Sequence, residues 1–389
     1  MATLIQIDKP GTGDKPQFAL WELGFRPFYL LASSFAALSI GLWALQLNGY
    51  LPNAYLRGPM WHAHEMLFGF TLAVLTGFLL TAAQNWSGQP TPKGAYLAAL
   101  AALWVAGRVL VLSPWGWLAA AVNVAFPLAL ATALAIPLYK ARNRRNYFFV
   151  ALLVMMAWAQ LLVHLNGLEA IRIPGWAGIL LGLDGMLFVI CVMGGRVIPM
   201  FTNNAIPGAQ ALRHPWVEKI ALGLVLLILV ADALQVTGTW LALLALLSMV
   251  AHLIRLCLWR PWKTLKTPLV WVLHAAYAWI PLHLALRAMA AMDWVSSSAA
   301  THALTTGAVG GMVIGMMTRT ALGHTGRKLI AGKAEISCYA LVAAAAWVRV
   351  GTPFIDASII PVGVLVSAIL WSAGFAIYTL KYWHILSSD

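Results

Sequence analysis

The chain has 389 residues, 61% of them hydrophobic and 10% charged, with a mean hydropathy of +0.81. So few polar groups could not cover a soluble domain of this length, which excludes a water-soluble enzyme or binding module. The formal net charge of +13 raises nucleic acid as a partner, but no interleaved basic and aromatic motif accompanies it, so none is expected.

In chain order, residues 1–26 read as a cytoplasmic N-terminal segment. Asp8, Lys9, Asp14 and Lys15 leave it without an apolar core or cleavage site for a removable signal peptide. Hydrophobic runs of about 20 residues, enough to span a bilayer, then follow one another. They cover about 27–47, 62–83, 95–112, 115–138, 147–167, 174–195, 216–236, 239–259, 268–290, 298–321, 335–353 and 357–381. No connection is long enough for a soluble domain, and the longest follow Gly195, Leu258 and Thr318. The expectation is one all-α, polytopic bundle of about twelve transmembrane helices, a single integral membrane domain over 1–389. Taking connections alternately puts about 20 of the 25 Lys and Arg residues on the side of the tails, the positive-inside asymmetry. Both termini are therefore expected in the cytoplasm, with the chain in the bacterial inner membrane. Most of the 19 tryptophans cluster at the expected interfaces as an aromatic belt.

The chain is also self-similar. His64-Glu-Met-Leu-Phe-Gly69 through Gly77 and Gly88 lies over His302-Ala-Leu-Thr-Thr-Gly307 through Gly315 and Gly326 at one constant offset. Helices 2–4 and 10–12 would form an internal parallel repeat, related by an axis along the membrane normal. A weaker match sets Gly194-Gly195 to Asn203 over Gly77 to Asn85, which would make three four-helix units.

Intramembrane histidines are costly and mark functional sites. His62 and His64, in Trp61-His-Ala-His-Glu65, form the sharpest local cluster. In a helix their rings point about 200° apart and could not share an ion; in an extended segment both could bind one. Glu65 would orient an imidazole or relay protons, the alternative being a polar helix terminus with no ligand. His302 joins the set through its repeat partner. His274 and His283 fall nine residues apart on opposite sides of one helix, with His252 the companion level with His274. His324 lies near the cytoplasmic surface. Asp184, mid-membrane, is a proton-transfer candidate or a structural hydrogen-bonding group. Arg196 could clamp a haem propionate or anchor the chain on its positive side, and Arg26 carries the same ambiguity. Arg196-Val-Ile-Pro199 and Gly323-His-Thr-Gly326 read as helix breaks at the cytoplasmic face. The three cysteines are far apart, and no Cys-x-x-Cys-His is present, so any haem must be held non-covalently, as a b-type group.

Gly24-Phe-Arg-Pro-Phe28, Trp61-His-Ala-His-Glu65, Gly77-Phe-Leu-Leu-Thr81 with Asn85-Trp86, and Gly194-Gly-Arg-Val-Ile-Pro199 occur in order along nearly the whole chain. Leu273-His274 with Tyr277, His302-Ala-Leu-Thr305, and Met316-Met-Thr-Arg319 with Gly323-His-Thr-Gly326 continue the series. Together they resemble the NnrS family of bacterial membrane proteins linked to the nitric oxide response. The resemblance implies a polytopic protein with haem and copper, and nitric oxide as its small-molecule partner. His283 departs from the family pattern and is set aside as a general ligand. Neutral imidazole suits iron and copper alike.

Three functions remain open. In the first, a haem–copper protein reduces nitric oxide to nitrous oxide with electrons from an unidentified donor. His62, His64 and His302 then belong to one metal-containing region, with His64, His274, His302 and Arg196 as cofactor contacts. Metal ligands come from His62, His64, His274, His302 and His324, and Glu65 and Asp184 handle protons. The second is a non-catalytic nitric oxide-binding or iron-protecting haem protein. The third is a twelve-helix secondary transporter, which carries no stoichiometric haem.

Overall fold

The computed structural model describes residues 18–52 and 54–388, so most of the segment 1–26 lies outside the described residues. Fourteen α-helices are found there, and two pairs of them run on through a π-helical segment, leaving twelve rods. They are α1 (Phe25–Leu47), α2 (Gly58–Ser87), α3 (Ala95–Val111), α4 (Gly116–Lys140), α5 (Phe148–Gly167) and α6 (Gly175–Ala205). The second half holds α7 (Pro215–Ala233), α8 (Gly238–Leu258), α9 (Pro268–Ala291), α10 (297–324), α11 (Lys333–Ile355) and α12 (Ile360–Ser387). Nine helices among the described residues are long and apolar enough to cross a membrane. Of the remaining rods, α3 is only 17 residues long, and α7 carries Glu218, Lys219 and Asp232.

Local chemistry sets many of the ends. Proline, whose missing N–H would have no helical partner, stands in the first turn of α2, α7, α9 and α12. Ser296 caps α10 by accepting a bond from the Ser298 N–H. Gly88 closes α2 in the left-handed conformation at φ 65°. The expected break at Arg196–Pro199 does not occur: Pro199 sits inside α6, which continues to Ala205. Membrane helices tolerate an internal proline where neighbouring groups satisfy the freed carbonyl.

Each rod packs against its chain neighbours, and α1 also packs against α12. Phe18 pairs antiparallel with Ser388, and Arg26 donates to the carbonyls of Leu386 and Ser388. Both described ends therefore lie at one end of the bundle. The rods are not equivalent. Of the most apolar stretch of α2, 83% is buried inside the protein, against 28% for α12. The lipid-facing rods present large apolar side chains outward, among them Leu243, Leu247 and Val250 of α8 and Val362, Leu365 and Ile369 of α12. By alternation α2, α6 and α10 run in the same direction, and they meet around a central cavity.

Candidate metal centre

The first polar cluster grows from the α2 sequence Trp61-His-Ala-His-Glu65. Gly58–His64 is helical, so His62 and His64 leave the rod in different directions, the condition under which they cannot share an ion. Immediately after His64 the helix widens into a π segment, Glu65–Thr71. Such wide turns free carbonyls and re-aim side chains; here the Trp104 indole donates to the Gly69 carbonyl at 3.0 Å. Gly69 matters as a glycine, because a Cβ there would run into the Arg108 guanidinium and the Phe35 ring.

His64 points into a buried polar pocket between α2, α3, α4 and α5. Its Nδ1 is 2.7 Å from Glu65 Oε1, and Arg108 Nη1 lies 3.1 Å from the same oxygen. The paired carboxylate fixes the tautomer: Nδ1–H donates, and the Nε2 lone pair points outward. That Nε2 faces His164 Nε2 of α5 at 3.2 Å and Gln160 Nε2 at 3.3 Å. The other nitrogen of His164 is hydrogen-bonded to the Tyr55 hydroxyl. Arg108 also donates to Asn123 Oδ1, and Asn123 Nδ2 is anchored on the Ala119 carbonyl at 2.8 Å. His64, Glu65, His164, Gln160 and Asn123 are all buried. Glu65 Oε2 and Gln160 Oε1 have no hydrogen-bond partner.

His302 lies elsewhere. No hydrogen bond or ring contact joins it to His64 among the described residues. It sits within electrostatic reach of His62 and of Arg349 of α11. His302 Nδ1 bonds the Ser298 carbonyl at 2.8 Å, and Arg349 donates to Ser298 Oγ at 3.0 Å. His62 stacks on Trp43 with ring centroids 4.5 Å apart, and its Nδ1 is buried and unpartnered. Of the expected set His62, His64 and His302, His64 meets His164 and His62 stacks on Trp43, and no hydrogen bond or ring contact joins the three to one another among the described residues. Like His64, His302 is the last residue before a π segment, Ala303–Gly310.

Between α2, α6 and α10, with Tyr29 of α1, lies an apolar cavity of about 80 Å³. Met186, Met193, Met312 and Met316 bring thioethers to its wall. It adjoins a second space of about 160 Å³ lined by Asn85, Trp86, Phe201, Thr320 and His324. Tyr29, Phe78, Met193, Val197 and Met316 border both. Arg319 lies 3.9 Å from the Phe201 ring centre. Arg196 is engaged with Asn146 Oδ1 at 2.7 Å and lies over Phe148 and Phe149.

The remaining expected residues go to other partners. His274 Nε2 is 2.8 Å from Thr202 Oγ1 of α6, and its Nδ1 is buried without a partner. His252, its expected companion, instead bonds Tyr277 at 2.6 Å. Arg255 donates to that same hydroxyl at 2.7 Å and grips Glu218 with two bonds of 2.7 Å. His283 bonds the Ala300 carbonyl. Asp184 is paired with Arg287 of α9 at 3.3 Å, and Arg287 also pairs with Asp232 of α7.

Among the described residues no group of three or more His, Cys, Asp or Glu side chains is placed to hold a metal ion. The closest approach to one is the facing imidazole pair of His64 and His164, with an amide and a hydroxyl around it. His164, Arg108, Asn123, Gln160 and Tyr55 were not among the residues singled out from the sequence. One signal was available: Arg108, Asn123, Gln160 and His164 are polar residues inside otherwise apolar runs. The model of the NnrS protein family matches residues 19–389 of the chain. No curated protein matches it.

Proposed function

The chain belongs to the NnrS family, and on that premise we propose that it is a haem–copper protein of the bacterial inner membrane that handles nitric oxide. Its most concrete form is a reductase that converts nitric oxide to nitrous oxide and water, with electrons from a donor outside this chain. The observation that carries this reading is the central cavity. Its apolar wall, to which four methionines contribute, is a lining that suits a flat macrocycle. Met193 and Met316, which border both spaces, and His324, which lines the adjoining one, are the residues that would hold a haem iron. Haem iron, when bound, supplies a coordination position for nitric oxide. Lipid-soluble nitric oxide reaches such a site through the hydrocarbon.

The chain's own residues supply the rest. The cavity wall is apolar. Arg319, beside Phe201, and Arg196, one of whose donors is spent on Asn146, are the candidate cations for a propionate. Glu65 and Asp184 each keep one buried carboxylate oxygen without a hydrogen-bond partner, which suits them to hold a proton at Oε2 and Oδ2. His62, His302 and His274 remain ligand candidates, and His62 and His274 each have a buried, unpartnered Nδ1. The internal repeat belongs to the same reading. It is supported by the π segments that begin directly after His64 and His302, and by α2, α6 and α10 meeting at the cavity.

The test is anaerobic. Protein purified in mild detergent should show a haem absorbance spectrum and, given a reductant and nitric oxide, form nitrous oxide faster than free haem does. Spectral shifts without turnover would reduce the role to binding or protection. Absence of haem would remove the reading and favour the transporter.

A further inference from the structure

The polar cluster around His64 asks for something the protein atoms do not provide. An imidazole nitrogen has one lone pair. The lone pair on His64 Nε2 is approached by two groups, His164 Nε2 at 3.2 Å and Gln160 Nε2 at 3.3 Å. The paired carboxylate of Glu65 already takes the Nδ1 hydrogen of His64. If His164 gives its own Nδ1 hydrogen to Tyr55, its Nε2 is a bare lone pair as well, and two lone pairs face each other across 3.2 Å between buried rings. Nearby, Gln160 Oε1 is buried with no partner.

We propose that His64 and His164 are joint ligands of one monovalent copper ion held between their Nε2 atoms. This rests on the reading that the chain carries copper. The separation fits: imidazole nitrogens about 2.0–2.1 Å from a shared ion at a near-tetrahedral angle stand about 3.3–3.4 Å apart. The outer atoms fit too. Metal-bound imidazoles usually give their other nitrogen to a carboxylate, carbonyl or hydroxyl, which fixes the tautomer, and here Glu65 and Tyr55 hold those positions.

Charge selects the valence. The single carboxylate in the pocket is already neutralised by Arg108 at 3.1 Å. A cation entering therefore finds no net negative charge, and the cost of burying it rises with the square of its charge. Cuprous ion carries the smallest charge and accepts low coordination number, with imidazole among its suitable donors. Two protein ligands leave coordination positions open, within a pocket closed to bulk water.

Purified wild-type protein is titrated anaerobically with Cu(I) buffered by a chromophoric chelator. The expected result is one chelator-resistant ion per chain. It is lost in His64→Ala and in His164→Asn, weakened about 10–100-fold in Tyr55→Phe, and unchanged in His384→Ala, which controls for surface imidazole. X-ray absorption of the loaded wild type, which needs no variant to fold, should show a nitrogen shell with an imidazole signature. Copper retained in both ligand variants, or a spectrum dominated by sulfur, overturns the proposal. So does a haem-loaded wild type that binds no copper, since the pair then merely shares a proton. Those outcomes leave the haem reading standing, whereas a protein without haem fails that reading whatever its copper content.

Discussion

Replacing Glu65 by Gln keeps the shape and an acceptor for His64 but removes the charge that faces Arg108. The structure fixes the size of the effect. Arg108 Nη1 and Glu65 Oε1 are 3.1 Å apart, with side-chain exposures of 8% and 1%. At that distance and an effective dielectric of about 20, opposite unit charges attract by about 5 kcal/mol. Breaking a buried pair by removing one partner costs about 3–5 kcal/mol, because the other charge is left uncompensated. The two halves are not symmetric. An unpaired carboxylate can take up a proton and become neutral, whereas a guanidinium cannot lose one. Glu65→Gln should therefore destabilise more than Arg108→Met, and the double variant should be more stable than Glu65→Gln alone. Unfolding in mixed micelles, followed by tryptophan fluorescence, reads all four corners of this cycle. Additive losses in the double variant would refute a coupled buried pair and, with it, the electroneutral pocket.

Other variants test neighbouring features by the same unfolding measurement or by absorbance. A Cβ at Gly307 would drive into the Trp279 indole, so Gly307→Ala should cost about 1–3 kcal/mol through overpacking; a neutral outcome would mean the ring has room to move. Arg287→Met strands Asp184 and Asp232 and should cost about 3–5 kcal/mol, with Asp184→Asn added to it restoring part of the loss. Arg255→Met leaves Glu218, the Tyr277 hydroxyl and the Cys191 carbonyl without their shared donor and should be among the most damaging single changes. His324→Ala should lower haem content or shift the haem absorbance; an unchanged spectrum would exclude it as a ligand.

The fold was legible because a bilayer admits few solutions. Runs of about 20 apolar residues between polar turns become helices, since every backbone group must be satisfied within the segment. The rods found lie where the hydropathy pattern set them. The end of α6 differed, because Pro199 was taken as a terminator, as it would be in water. In α6 the chain continues to Ala205, and Thr202 Oγ1 bonds the Ile198 carbonyl at 2.8 Å on the way. The π segments were invisible, since hydropathy at helical spacing does not change when one turn gains a residue. Their trace lay in the repeat alignment: Gly69 and Gly307 occupy matched positions, and each makes room for a large side chain from another rod, Arg108 or Trp279.

The site was only half legible for a different reason. The expected metal region came from aligning His64 with His302, and an alignment pairs residues by likeness, not by contact. His64 and His302 were thus expected to converge, yet each meets the neighbours of its own rod: His164 and Arg108 for the first, Arg349 and Ser298 for the second. What decides a ligand partner is which rods touch at which depth, and apolar periodicity holds no such information for helices buried on several faces. Polar residues inside spans do hold it. Each is too costly to keep alone in the hydrocarbon, so Arg108, Asn123, Gln160 and His164, at similar depth on adjacent rods, had to find one another and Glu65. Pairing such residues by depth before comparing repeats would have named His164, not His302, as the partner of His64.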